Sequence, residues 1–134
     1  MAIPHHFDCA IVTPEAKVFE GSVDFVSIPA HDGEIGILPN RAPLLCKLGI
    51  GVLRVRTGQT TTRWFVDGGF AQVVGNHLTI LTQQALPPDS IDPAAAERAL
   101  AQAAKMPATD EASRQARQDA VARARAQLRL RTSR

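Results

Sequence analysis

Aromatic side chains are scarce: no tyrosine, one tryptophan and five phenylalanines in 134 residues. They are adjacent only at Trp64-Phe65. A platform for stacked bases needs aromatics interleaved with basic residues on a strand face, so this pair reads as core and rim. The two cysteines, Cys9 and Cys46, show none of the metal-site spacings and read as buried or idle thiols. No apolar run approaches the ~20 residues that a membrane-crossing helix requires. The opening MAIPHHFDCAIV lacks the charged start and apolar centre of a signal peptide, which leads to the expectation of a soluble, cytosolic product.

Catalytic groupings are missing as well. An enzyme needs a nucleophile with a base, a metal cluster, or paired carboxylates in a cleft. His5-His6 has no third ligand spaced to join it, and His31 beside Asp32 fits turn chemistry. Ser22, Ser27 and Ser90 stand in no nucleophile-elbow context. Asp67-Gly68-Gly69 joins two strand patterns and opens no helix, so it reads as a hairpin turn rather than a phosphate loop. No catalytic or metal-ligating residue is assigned, and the chain is expected not to be an enzyme.

The 45% hydrophobic content supports one packed domain, or a small domain with an appendage. Up to about Gln84, apolar residues alternate: Phe7, Cys9 and Ile11; Leu53 and Val55; Leu78 and Ile80. Period two marks half-buried strands. Thr13-Pro14, Pro29, Asp32-Gly33, Thr57-Gly58, Asp67-Gly68-Gly69 and Gly75-Asn76 punctuate them at the rhythm of an antiparallel sandwich or barrel, of which a sandwich is expected.

The pattern changes at LPPDSIDP, residues 86–93. Asp92 suits a helix cap and Pro93 the first helical position. One helix is expected from about Asp92 to Lys105, then, after the break at Met106-Pro107, a second from about Thr109 to Leu130. Asp110–Arg114 and Asp119–Arg123 are favourable pairs four apart. Ala112, Ala116, Ala120 and Ala124 form a stripe of small side chains. The tail has few large apolar residues (Ile91, Leu100, Met106, Val121, Leu128, Leu130), so its docking should be loose. The expected organisation is a β-sandwich over residues 1–86 and a two-helix hairpin over 87–134.

Charge divides the same way. Residues 1–90 carry 6 Lys+Arg against 8 Asp+Glu, and residues 91–134 carry 9 against 5. Arg123, Arg125, Arg129, Arg131 and Arg134 crowd the end. An Arg-rich helix of this kind permits a second reading, a nucleic-acid-binding module. The strands argue against it, since they present almost no basic face.

One loop asks for more than turn chemistry. In GEIGILPNRAPLL, residues 33–45, glycines permit tight backbone and prolines stiffen the exit, but Glu34 and Arg41 flank an apolar stretch that needs no charge for its own folding. This segment, with Val12-Thr13-Pro14-Glu15, Val18-Phe19-Glu20-Gly21, Gly51-Val52-Leu53-Arg54-Val55, Gly68-Gly69-Phe70-Ala71 and Leu78-Thr79-Ile80-Leu81 in order, resembles the epsilon subunit family of bacterial F-type ATP synthases.

The resemblance implies a sandwich of about ten strands followed by the helical hairpin. It implies a non-catalytic rotor subunit that couples rotation of the membrane ring to ATP synthesis in a proton-translocating complex. The partners would be the gamma subunit, the c-subunit ring and the alpha and beta subunits of the catalytic head, with no nucleic acid. The site would be the cytoplasmic face of the bacterial inner membrane, reached only through the complex. Glu34, Arg41, Ala42, Pro43 and Leu44 would meet the ring and gamma, with Leu44-Leu45 anchoring the loop. Arg123, Arg125 and Arg129 would form a regulatory helix that restrains ATP hydrolysis when extended. The family commonly has histidine where this chain has Arg41, so ring contacts here should depend less on pH. Some members bind ATP through Ile/Leu-Asp-x-x-Arg-Ala; Ile91-Asp92 fits, but Ala95 replaces the arginine, and of two later arginines four apart Arg123 is matched while the next falls on Gln127. Asp92 and Arg123 are the remaining nucleotide candidates, and no cofactor is expected.

Overall fold

Eight strands and two helices are present in the computed structural model, which describes residues 5–132. The strands are β1 (Phe7–Val12), β2 (Lys17–Val23), β3 (Phe25–Ala30), β4 (Gly33–Ile37), β5 (Leu44–Thr57), β6 (Thr60–Val74), β7 (His77–Leu81) and β8 (Ala85–Leu86). A 3-10 turn at Pro88–Ser90 leads to α1 (Pro93–Ala104) and α2 (Glu111–Thr132). Strand order is β2-β1-β7-β6-β5-β3-β4, with β8 beside β6. Every pairing is antiparallel except β1 with β7.

The strand count falls short of the expected ten because β5 and β6, of 14 and 15 residues, each run through both layers of the sandwich. In β5, Leu44, Cys46 and Leu48 face the core before the glycines Gly49 and Gly51, and Leu53 and Val55 face it after them. In β6, Trp64 and Val66 face it before Gly68-Gly69, and Ala71 and Val73 after. The inward parity therefore switches from even to odd in both strands where the ribbon bends between layers.

Asp67-Gly68-Gly69 is thus not a hairpin turn but a bend inside one strand, with Gly68 at φ +69° and Gly69 at φ +107°. Pro29 likewise sits within β3 rather than ending it. It pairs with Glu34 on one side, while on the other the register with β5 shifts between Ser27 and Ala30. A residue without an N–H is tolerated at such an irregularity. The remaining turn signals hold; Gly75 and Asn76, both at positive φ, form the two-residue loop between β6 and β7.

The core between the layers gathers Phe7, Ile11, Val23, Val26, Ile28, Ile37 and Ile80 with the ribbon residues. Cys9 lies among them, and burial pushes its thiol up to about 12. Both cysteines are free. A second cluster lies on the outer side of the other layer, where Phe65, Ile50, Val52 and Leu86 meet Ile91, Ala126 and Leu130. This is the seat of the tail. Of the six large apolar residues in the tail, only Ile91 and Leu130 are fully buried, each worth roughly 1.5–3 kcal/mol.

Helix ends follow the expected chemistry. Asp92 accepts the Ala94 N–H at 3.0 Å and Pro93 opens α1. Asp110 accepts the Ser113 N–H at 2.8 Å, and the Ser113 hydroxyl oxygen accepts the Asp110 N–H in return. The anticipated pairs four apart do not form as expected: Arg114 bonds Glu111 at 3.2 Å, and Arg123 turns to Asp67. The alanine stripe is buried only at Ala124, with Ala120 half-buried and Ala112 and Ala116 exposed.

Asp24 ties the β2–β3 junction to the β5–β6 turn. Its carboxylate accepts the Gly58 N–H at 2.6 Å and contacts His6, and these bonds hold it below the usual carboxylate range. His6 is therefore engaged rather than idle. A depressed folded pKa contributes stability above the unfolded value of about 3.9 and loses it as pH falls through the folded pKa. The advantage of wild type over Asp24→Asn in urea unfolding should be present at pH 7 and shrink below about pH 4.

Candidate docking surfaces and the tail seat

The loop singled out in the sequence leaves β4 at Ile37 and re-enters the sheet at Leu44. Asn40, at φ +65°, donates its N–H to Asn76 Oδ1 at 2.7 Å, which fastens the loop to the β6–β7 turn. Arg41, Ala42 and Pro43 are exposed, and Leu44 packs against the core. Leu45 does not anchor the loop: it is 68% exposed, because alternation in β5 sends it to the opposite face from Leu44.

Glu34 and Arg41 end up in different surroundings. Glu34 reaches Arg54 at 3.3 Å, an exposed pair, while Arg41 places its charge near the Cys46 thiol. Burial raises that thiol, and Arg41 opposes the rise. Glu34 and Cys46 line one hollow of about 270 Å³ with His31, Asp32 and Lys47.

Beside the loop lies a surface that reading for turns and charges missed. Phe70, Val74 and Leu81 are 51%, 53% and 47% exposed, and with Leu45 they stand on the outer face of β5, β6 and β7. Phe70 and Leu81 are direct cross-strand partners. The signal was in the sequence: Ala71, Val73 and Ile80 hold the inward parity, so large apolar residues at the opposite parity had to face outward. Adjacent exposed apolar side chains of this size mark interaction surfaces.

The tail arginines diverge. Arg123, half-buried, grips Asp67 with two bonds, Nε to Oδ2 at 2.8 Å and a terminal nitrogen to Oδ1 at 3.2 Å. Asp67 itself is positioned by the bend, its N–H donating to Thr82 Oγ1 at 3.0 Å, and the buried Thr82 hydroxyl donates in turn to Gln84 O. Arg125 is exposed and borders a hollow with Arg114, Arg117 and Val121. Arg129 faces the sandwich near Arg54 and Arg63. Arg134 lies outside the described residues. The nucleotide candidates both hold structural partners, Asp92 the α1 amide and Arg123 the β6 carboxylate. Among the described residues no group of three or more side chains could hold a metal ion, and no helix is long and apolar enough to cross a membrane.

Comparison with known proteins finds the same combination elsewhere. The family profile described as ATP synthase, Delta/Epsilon chain, beta-sandwich domain matches residues 6–88. An ATP synthase epsilon chain from Rhodopirellula baltica is 45% identical over 121 residues, covering 90% of this chain and 94% of that protein. One from Halalkalibacterium halodurans is 40% identical over 121 residues, covering 90% and 86%. In structure the chain resembles one in the cryo-EM structure of the Euglena gracilis mitochondrial ATP synthase, OSCP/F1/c-ring, with a TM-score of 0.82 and 26% identity over 93% of this chain and 81% of that one. A chain of the Tetrahymena thermophila mitochondrial ATP synthase central stalk and c-ring shares the fold, with a TM-score of 0.72 and 15% identity over 93% and 96%.

Proposed function

The chain belongs to the delta/epsilon chain family of F-type ATP synthases, non-catalytic subunits of the central stalk, and from that premise we propose that it couples rotation of a c-subunit ring to ATP synthesis. The observation that carries the reading is the outer face of Leu45, Phe70, Val74 and Leu81, large apolar side chains that a free-standing sandwich would not present together. Gamma covers this face in the assembly, and burying it supplies the hydrophobic part of the docking energy. The neighbouring loop, with Arg41, Ala42 and Pro43 exposed and Glu34 on its flank, meets the polar loops of the ring. The attachment to the cytoplasmic side of the membrane is peripheral, through these partners. The tail, folded on the sandwich here, extends toward the alpha and beta subunits of the head to restrain hydrolysis, with Arg125 among the residues that meet them. Membership in this family replaces the nucleic-acid reading of the Arg-rich helix.

One experiment separates the two surfaces. In detergent-solubilised membranes, Phe70→Ser combined with Leu81→Ser should abolish co-purification with gamma while the isolated variant keeps its circular dichroism. Arg41→Glu should keep co-purification but lower ATP-driven proton pumping, with the melting temperature within a few degrees, since an exposed charge contributes ~1 kcal/mol or less. Retention of gamma by the serine double variant would overturn the assignment of the face.

A further inference from the structure

The loop proposed to meet the ring, residues 38–43, has little packing of its own: Leu38, Asn40, Arg41, Ala42 and Pro43 are exposed and Pro39 is half-buried. Its two ends are fixed, by the buried Ile37 on β4 and by Leu44 of β5 against the core. Between them Pro39-Asn40 suits a turn with proline second and positive φ third, and Asn40 takes φ +65°. At this midpoint the Asn40 N–H donates to Asn76 Oδ1 at 2.7 Å, the short end of the range for such bonds. A backbone N–H can only donate, so the side-chain oxygen of Asn76 is the atom that must face it.

Asn76 is itself braced. It lies in the two-residue loop between β6 and β7 at φ +62°, its backbone oxygen accepts the Asp8 N–H of β1 at 3.0 Å, and the pair Val74 and His77 closes the strands beside it. Val74 belongs to the exposed apolar face. One turn therefore carries both the end of the face assigned to gamma and the acceptor that catches the loop. We propose that Asn76 is the positioning residue of this loop: its side-chain oxygen holds Arg41, Ala42 and Pro43 in a fixed place relative to the apolar face, so that a push from the ring reaches the stalk partner through rigid structure. This rests on the reading of the loop and the face given above. Positive φ alone would be met better by glycine, which carries no acceptor; asparagine tolerates the conformation and supplies the oxygen.

Two variants separate the acceptor from the turn. Asn76→Gly keeps the backbone conformation and removes the oxygen, whereas Asn76→Asp keeps an oxygen in the same place and tolerates the same φ. In the isolated full chain, hydrogen exchange at the Asn40 amide should be about 5–10-fold faster in Asn76→Gly, the effect of one lost hydrogen bond, and no faster than wild type in Asn76→Asp, with both melting temperatures within a few degrees of wild type. In membranes, on complexes that retain gamma, the ratio of ATP-driven proton pumping to ATP hydrolysis should fall with Asn76→Gly and stay at the wild-type value with Asn76→Asp. A role confined to forming the turn predicts instead that glycine is silent. Unchanged exchange at Asn40 in the glycine variant, or equal acceleration in both variants, overturns the assignment of the acceptor. Faster exchange with pumping untouched, where Arg41→Glu does lower pumping, overturns the positioning role and leaves the loop on the ring. If Arg41→Glu is silent as well, the reading of the loop fails and this proposal falls with it.

Discussion

Gly69→Ala should lower the melting temperature on the order of 10–20 °C, a loss of roughly 4 kcal/mol or more, which is exceptional for the addition of one methyl group. Two costs combine at this position. The backbone sits at φ +107°, where a side chain is strained, and an added Cβ would lie 1.8 Å from the Leu81 carbonyl oxygen, with Thr82 Cα also within 2.9 Å. Those atoms are backbone of the adjoining strand and cannot rotate away, so the bend itself must open. The neighbouring Gly68 provides the control: it also has positive φ, +69°, but nothing lies within 4 Å of its would-be Cβ. Gly68→Ala should therefore cost only the left-handed penalty of about 1–2 kcal/mol. Equal melting temperatures for the two variants would refute the close-approach argument.

Asp67→Asn should release the tail while leaving the sandwich intact. The Arg123–Asp67 pair is half-buried and bidentate, and it joins a seat whose apolar part rests on Ile91 and Leu130. Losing the charge on Asp67 should cost about 1–2 kcal/mol after allowance for the partial exposure of Arg123. That changes a two-state population by a factor of roughly 5–30. Amides of α2 should then exchange faster by about that factor, while those of β1 and β7 keep their protection. If the tail restrains hydrolysis as proposed, the same variant should favour the extended tail in the assembled enzyme and lower ATP hydrolysis. Arg125→Ala, at an exposed position without this bond, should raise it. Unchanged α2 exchange in Asp67→Asn would show that the ion pair does not hold the tail.

Much of this architecture was legible because local chemistry and tertiary structure agree. Asp92-Pro93 caps α1 in the structure as in the sequence, and Gly75-Asn76 makes the turn its backbone preferences suggest. The bend at Gly68-Gly69 was misread because a hairpin turn and a kink inside a strand make the same demand for positive φ; only the parity of the flanking apolar residues distinguishes them. Arg123 was assigned to Asp119 because four-residue spacing is visible in a sequence, whereas Asp67, 56 positions away, is not. The helical pair is worth a few tenths of a kcal/mol, less than a half-buried bidentate bond, and so yields to it. The loop at residues 33–45 was recognisable as a motif, but the different fates of Leu44 and Leu45 needed the strand direction.

The parallel pairing of β1 with β7 places Cys9 beside Leu78 and Ile11 beside Ile80, and this has a consequence for the order of events during synthesis. The first strand cannot complete its edge until a segment about half the chain later has been made, so the sandwich cannot close while the nascent chain is shorter than that. Contacts of such sequence separation slow folding, because loop closure must precede the energy it releases. The β5–β6 ribbon, joined by a two-residue turn at Gly58-Gln59, is local and free to form early. The helices are local too, yet their seat on Phe65 and Val52 depends on that ribbon. Translation thus delivers a hairpin first, a closed sandwich second and a docked tail last, and the apolar face of Phe70 and Leu81 takes shape only with the second step, when β7 joins.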